Sequence, residues 1–320
     1  MAAARYTLGR NDVNGYVAAA VAVLISASYP VATRAGLSGS FAAEELVTLR
    51  FGIGALLFLP YLALRFQAID AAAWRRGVPL TLFQGAGMGA LVICGLQLAP
   101  ASHAAALGPG VNPAWVALLG FFVFARRPST RLVMGATLCA LGVIVLAWWS
   151  LTGLSASVLA GDAMFLAASA LGALYVLQLR NWGVGAIPGA AIVSLYSAVI
   201  VIPCYLCSQP EALWRLAASE LLWQALWQGV LIGCVSFVAL NHAITKLGAE
   251  RFSALGALVP VVSAVLALVF LGEVPSMMEI AAFLAISAGV SVAASRGYAG
   301  SPAVSNAPMK RPACGLSRPG

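Results

Sequence analysis

Asn112 directly precedes Pro113, and Trp115 follows within the same turn, all inside an apolar stretch of a 320-residue chain. A proline in that setting removes a backbone donor and clashes with the preceding turn, so the helix must kink or break. Carbonyls freed at such a break must meet neighbouring helices or line a wet cavity. An amide and an indole beside it would offer a donor and a flat wall to a small organic solute. Pro260 repeats the feature in the second half of the chain; Pro109 and Gly110 stand beside Pro113, and Gly256 beside Pro260. The chemistry this points to is recognition rather than bond making. Tyr29 and Tyr175 add aromatic faces with hydroxyls, and Gln84 and Gln178 add amides. Each has a plainer reading. The prolines could be structural kinks, Trp115 could fill the core, the tyrosines could anchor at a membrane interface, and Asn112 could hold another helix by a hydrogen bond.

Charged candidates are few. Arg50 falls within an apolar stretch, where an ionisable group needs a named partner. Glu44 and Glu45 lie one to two turns away on the same helix, and the preferred reading is a structural ion pair with one of them. His103, Asp162, Glu250 and Arg251 fall at the ends of apolar stretches and are expected to remain hydrated as boundary or gate residues. Asn241 and His242 are placed to pair with Lys246 or Glu250. A histidine that titrates near neutrality could couple a proton, but a solvated boundary role is preferred for both His103 and His242.

Bond-making chemistry finds little support. Gly36-Leu37-Ser38-Gly39 matches the Gly-x-Ser-Gly string of an intramembrane serine protease, the rival reading, but it falls in a loop where glycine and serine are ordinary turn residues. Two histidines exclude a His-rich metal site. There is no His-Glu-x-x-His and no nucleotide-binding loop. Neither cofactor nor metal is expected. Six cysteines lack a disulfide spacing, and Cys204 and Cys207 sit in an apolar helix without a redox context, so they are read as packing residues.

The elements that must position these residues follow from composition. A mean hydropathy of +0.94, with 62% hydrophobic and 9% charged residues, cannot make a water-soluble surface when globular chains carry roughly 25% charge. Ten stretches approach the length needed to cross a bilayer: 15–35, 44–64, 78–98, 103–125, 131–149, 159–179, 187–207, 222–244, 252–271 and 277–295. With the N-terminus in the cytoplasm, Lys and Arg collect inside, leaving Arg34 and Arg215 outside and Arg50 within a helix. That explains the net charge of +8 by the positive-inside rule rather than by nucleic acid. Both termini are then cytoplasmic, and residues 13–35 are a first span rather than a cleaved signal. The tail 296–320 is expected to be disordered.

The chain is also an internal duplication. A shift of 147 aligns Pro113 with Pro260, Pro128-Ser129 with Pro275-Ser276 and Gly142 with Gly289; a shift of 146 aligns Tyr29 with Tyr175 and Arg34 with Arg180. Five crossings per copy would turn the second copy over, the layout of a secondary transporter. Small residues four apart, Gly85/Gly89 and Gly229/Gly233, allow close helix approach. A channel would need a continuous polar lining, for which polar residues are too scattered.

These residues, in this order, resemble the drug/metabolite transporter superfamily and its EamA-type members. The resemblance rests on Leu49-Arg50-Phe51, on Gly95 to Ser102, on Pro113 and Pro260, on Gly161-Asp162, on Leu271-Gly272-Glu273 and on Ala288-Gly289-Val290. It implies a ten-helix carrier that exports amino acids, related metabolites or toxic organic compounds across a bacterial inner membrane. A Trp-Gly pair frequent in that family's first and sixth helices is replaced here by Ser28-Tyr29 and Leu174-Tyr175, which puts the substrate in question.

The expectation is an all-α polytopic membrane protein of ten transmembrane helices, as two inverted five-helix repeats at 1–150 and 151–295. It would move small organic metabolites outward by alternating access, without enzymatic activity. Asn112, Pro113, Trp115, Tyr29, Tyr175, Gln84, Gln178 and Pro260 are the expected substrate contacts. Arg50, Glu44, Glu45, His103, Asn241, His242 and Glu250 are expected to serve structure or gating. The partners are a small-molecule substrate and the lipid bilayer, with a homodimer left open and no nucleic acid.

Overall fold

The structure is a computed structural model that describes residues 10–123, 128–153, 156–208, 216–247 and 255–294. The tail 296–320 and Glu250 lie outside the described residues. All described secondary structure is helical: α1 (Arg10–Ser38), α2 (Ala43–Arg65), α3 (Ala71–Gln84), α4 (Ala86–Leu98), α5 (Ala101–Leu107), α6 (Asn112–Phe122), α7 (Thr130–Gly153), α8 (Ala156–Asn181), α9 (Ala186–Ser208), α10 (Ala218–Gln224), a π-helical segment (Ala225–Val235), α11 (Ser236–Leu247), α12 (Val259–Leu271) and α13 (Met277–Ala294), with one 3₁₀ turn at Phe66–Ala68. In hydrocarbon no water can take up a free N–H or C=O, and a helix satisfies both along its own length.

Seven helical stretches among the described residues are long and apolar enough to cross a membrane, and α12 and α13 are shorter apolar helices. Large apolar side chains such as Leu64, Phe122, Trp148, Phe270 and Met277 stand exposed on the outside. A water-soluble monomer does not carry so much exposed apolar surface; the chain is a multi-pass membrane protein. Cys204 and Cys207 also lie exposed, so they do not pack in the interior as expected.

Two of the expected continuous spans are interrupted. The stretch 78–98 is part of a run from Ala71 that breaks at Gly85, where the backbone leaves the helical region. A Cβ at Gly85 would collide with the Ser197 hydroxyl of α9, and that hydroxyl accepts the Ala86 N–H at 3.0 Å. The stretch 103–125 is split between α5 and α6. The Gly108 carbonyl freed there accepts the Ser169 hydroxyl of α8 at 2.6 Å. Pro113 and Pro260 each fall in the first turn of a new helix, α6 and α12, where a missing N–H costs nothing. They begin helices rather than kink them.

The duplication organises the packing. The first helix of each copy lies against the third of the other, α1 on α11 and α8 on α4, and α2 and α9 pack together. The last helices, α7 and α13, cross through equivalent residues. A Cβ on Gly289 would come within 2.7 Å of the Gly135 carbonyl, and one on Gly142 within 2.9 Å of the Ala282 carbonyl. Under the 147-residue shift each of these contacts maps onto the other. As the position rises on α7 it falls on α13, so the two equivalent helices run antiparallel. Both are entered by the same device: the Ser129 hydroxyl accepts the Leu132 N–H and the Ser276 hydroxyl accepts the Glu279 N–H, each at 3.2 Å.

Candidate functional site

Halfway along the bundle, where α3 gives way to α4 and α5 to α6, side chains of the first copy converge on Gly172 of α8, in the second. A Cβ there would meet the Asn112 amide nitrogen at 3.5 Å, the Gln84 carbonyl oxygen at 3.7 Å and the Met88 sulfur at 3.8 Å. The absent side chain leaves that space to the three. Asn112 donates a long hydrogen bond of 3.4 Å to the Ser169 carbonyl one turn away. Gln84, Met88, Asn112, Trp115 and Gln178 are all half-buried. The Trp115 indole N–H and the Gln178 carbonyl oxygen are buried without a hydrogen-bond partner among the described residues. An orphaned donor and an orphaned acceptor are costly in an apolar surround unless something else satisfies them.

Nearby, Tyr29 of α1 and Arg50 of α2 are joined. The Arg50 guanidinium donates to the Tyr29 hydroxyl at 2.7 Å, and its carbon lies 4.7 Å from the centre of the Tyr29 ring and 5.5 Å from that of Phe51. This corrects the expected ion pair with Glu44 or Glu45. Glu45 is buried and turns back to accept the N–H of Ala42, the capping residue just before α2, at 2.8 Å, while Glu44 is exposed.

The bundle end reached by the α1 C-terminus and the α12–α13 link is charged. His103 is fully buried in α5, with Nδ1 2.9 Å from an Asp162 carboxylate oxygen of α8 and Nε2 2.9 Å from one of Glu279 of α13. Hydration of His103 and Asp162 at a span end, as expected from the sequence, does not hold: both are buried. Arg34 pairs with Glu273 at 3.5 Å and donates to the Ala99 carbonyl at 2.7 Å and to that of Leu96, closing the end of α4. Glu273 accepts the Ala101 N–H at the start of α5 at 3.0 Å. Burial pushes the Glu273 carboxyl above its ordinary value, opposed by the Arg34 guanidinium and the backbone N–H groups at 101 and 102. Glu273 is delivered by Gly272, whose left-handed φ of 68° ends α12 and brings the Glu273 N–H back to the Ala267 carbonyl.

The remaining candidates fall elsewhere. Tyr175, the repeat partner of Tyr29, is buried in a small cluster with Leu80 and Val193. Pro260 is buried at the start of α12. His242 and Lys246 are exposed on α11; Asn241 lies on the same helix. Ser38 lines a crevice of about 490 Å³ with Arg34 and Glu273, not with a histidine. Sequence reasoning missed Met88, Ser169 and Ser197 at the breaks and Arg34, Glu273 and Glu279 at the charged end. That last group gathers with Asp162 around Arg34 and His103, a convergence visible only in the fold.

The EamA-like transporter family model matches residues 13–148 and again 159–295. Among characterised proteins, the chain is 30% identical to the threonine/homoserine exporter RhtA of Escherichia coli strain K12 over 77% of this chain and 80% of that protein. It is 29% identical to the RhtA of Salmonella typhimurium strain SL1344 over 84% and 88%, and 29% identical to a probable amino-acid metabolite efflux pump of Salmonella typhimurium strain LT2 over 73% and 83%. A solved crystal structure superposes with a TM-score of 0.59 at 22% identity, covering 90% of this chain and 98% of that one.

Proposed function

The chain belongs to the EamA-like transporter family, and on that premise we propose that it exports small amino-acid-like metabolites by alternating access across a bacterial inner membrane. The carrying observation is the pair of half-way interruptions, Gly85 and Gly108–Val111, around which Gln84, Met88 and Asn112 collect against Gly172. Interrupted helices at the interface of two repeats are where carriers hold their solutes. Exporter relatives named for threonine, homoserine and amino-acid metabolites support solutes of that size and polarity.

In this reading the bundle makes ten passes, two of them interrupted, α3 with α4 and α5 with α6, and one carrying the π segment between α10 and α11. Residues 1–150 and 151–295 are two inverted copies; the antiparallel crossing of α7 and α13 supports the inversion. The crowding of Lys and Arg on one set of loops supports cytoplasmic termini, which makes the charged end the outer one. Rocking of one copy against the other would expose the central group alternately to the two sides.

The test is counterflow. Proteoliposomes holding the purified chain and preloaded with unlabelled amino acids should accumulate the labelled species transiently, and cells lacking the protein should retain more of the exported metabolite than cells overproducing it. Absence of counterflow for every solute tried, at verified insertion, would remove the carrier reading.

A further inference from the structure

Arg50 stands seven residues into α2, about 10 Å along the helix at 1.5 Å per residue, well inside the apolar zone. A guanidinium carries five N–H donors. Among the described residues its one hydrogen-bond acceptor is the Tyr29 hydroxyl, and no carboxylate comes within ion-pair distance of it; the described ion pairs are Arg34 with Glu273 and His103 with Asp162 and Glu279. The two carboxylates of its own first turn do not serve it, since Glu45 is committed to the Ala42 N–H and Glu44 faces outward. A cation kept at that depth is expensive unless an anion meets it there.

Its surroundings suit a visiting anion. The Tyr29 and Phe51 rings hold the guanidinium carbon at 4.7 and 5.5 Å, which fixes the plane of the group while leaving its N–H edge available. The Tyr29 hydroxyl accepts from Arg50, so its own O–H points its proton elsewhere. Phe51 touches α4 at Gly89, where a Cβ would stand 3.1 Å from the ring. Tyr29 packs on the same core cluster as Met88 and Trp115 of the central group. Arg50 therefore belongs to the interior wall formed by α1, α2 and α4, and is half-buried rather than sealed.

We infer that Arg50 is the carboxylate anchor of the carrier: its guanidinium takes the two oxygens of the solute's carboxylate as a fork, and the Tyr29 O–H donates to one of them. Planar, bidentate recognition of a carboxylate is what arginine supplies and lysine does not. The inference rests on the exporter reading and adds to it the chemical class of the solute, a free carboxylate, and the residues that select it.

The experiment uses the full chain in proteoliposomes, with counterflow of L-threonine and of a panel of other free amino acids, each against its own carboxamide. The wild type is expected to exchange free acids and to discriminate against the carboxamides by about tenfold or more, the scale of one lost charge-assisted contact. Arg50→Gln should lose most exchange of the acids and with it the discrimination. Arg50→Lys, which keeps the charge and is the safer variant for folding, should raise the apparent KM with little change in maximal rate, and Tyr29→Phe should raise it by a few fold. Equal exchange of acids and carboxamides by the wild type, or undiminished discrimination in Arg50→Gln or Arg50→Lys, would overturn the anchor while leaving the exporter reading intact. If the inserted wild type exchanges no panel member, the exporter reading falls and the anchor with it.

Discussion

The charged end and the middle of the bundle bury polar groups in opposite ways. At the charged end both His103 nitrogens meet carboxylates, Glu279 also accepts the Ser276 N–H, and Arg34 meets Glu273 and two carbonyls. Each of the two contacts to His103 needs a proton between nitrogen and oxygen, and a neutral imidazole brings one; the closed cluster therefore holds one proton beyond a neutral ring with two carboxylates. Midway, Arg50 has one phenol, and the Trp115 N–H has no partner among the described residues. Paired groups hold helices together, whereas groups left short of partners favour whatever arrives to complete them.

That contrast predicts where substitutions will act. The largest effect should come from His103→Leu, which removes the imidazole that the two buried carboxylates share. Breaking a buried charged set in this way costs about 3–5 kcal/mol, read as a large fall in thermal unfolding temperature in detergent; His103→Gln, with one donor and one acceptor, should fall less. A leucine variant that melts with the wild type would erase the distinction between the two regions.

Next is the α7–α13 crossing. Gly289→Val pushes a side chain toward the Gly135 carbonyl and the Cys139 sulfur, both about 2.7 Å from a Cβ there. Overpacking of this kind costs about 1–3 kcal/mol, measured by the same melt.

In the middle the sign of the contrast reverses. Asn112→Ala removes one weak protein hydrogen bond, so its melt should stay near wild type. Its apparent KM in counterflow should rise by about fivefold, the equivalent of ~1 kcal/mol. The smallest effect is expected for Tyr175→Phe, because Tyr175 sits in its own packed cluster; transport unchanged within error is the outcome, and a loss comparable to that of Tyr29→Phe would restore the equivalence of the two tyrosines.

Some of this was legible in the residues. Pro113 and Pro260 pointed to the places where α6 and α12 begin, because a missing N–H is a local property. Ser129 and Ser276 marked equivalent helix entries for the same reason. The break at Gly85 left a weaker trace, since glycine permits a break without demanding one; the demand comes from Ser197 of α9, which bonds Ala86 from 111 residues on. The π segment Ala225–Val235 left no distinguishing pattern in an apolar run.

Hydropathy, span length, the 147-residue repeat and the prolines determined by themselves that this is a helical membrane protein with a duplicated plan, because burial in lipid and backbone hydrogen bonding act on residues one stretch at a time. Partnership was decided only in three dimensions. Arg50 turned from Glu45 to Tyr29, and His103 from solvent to two carboxylates 59 and 176 residues away, because a side chain's electrostatic energy depends on what the packed helices bring within a few ångströms of it, and no spacing along the chain encodes that distance.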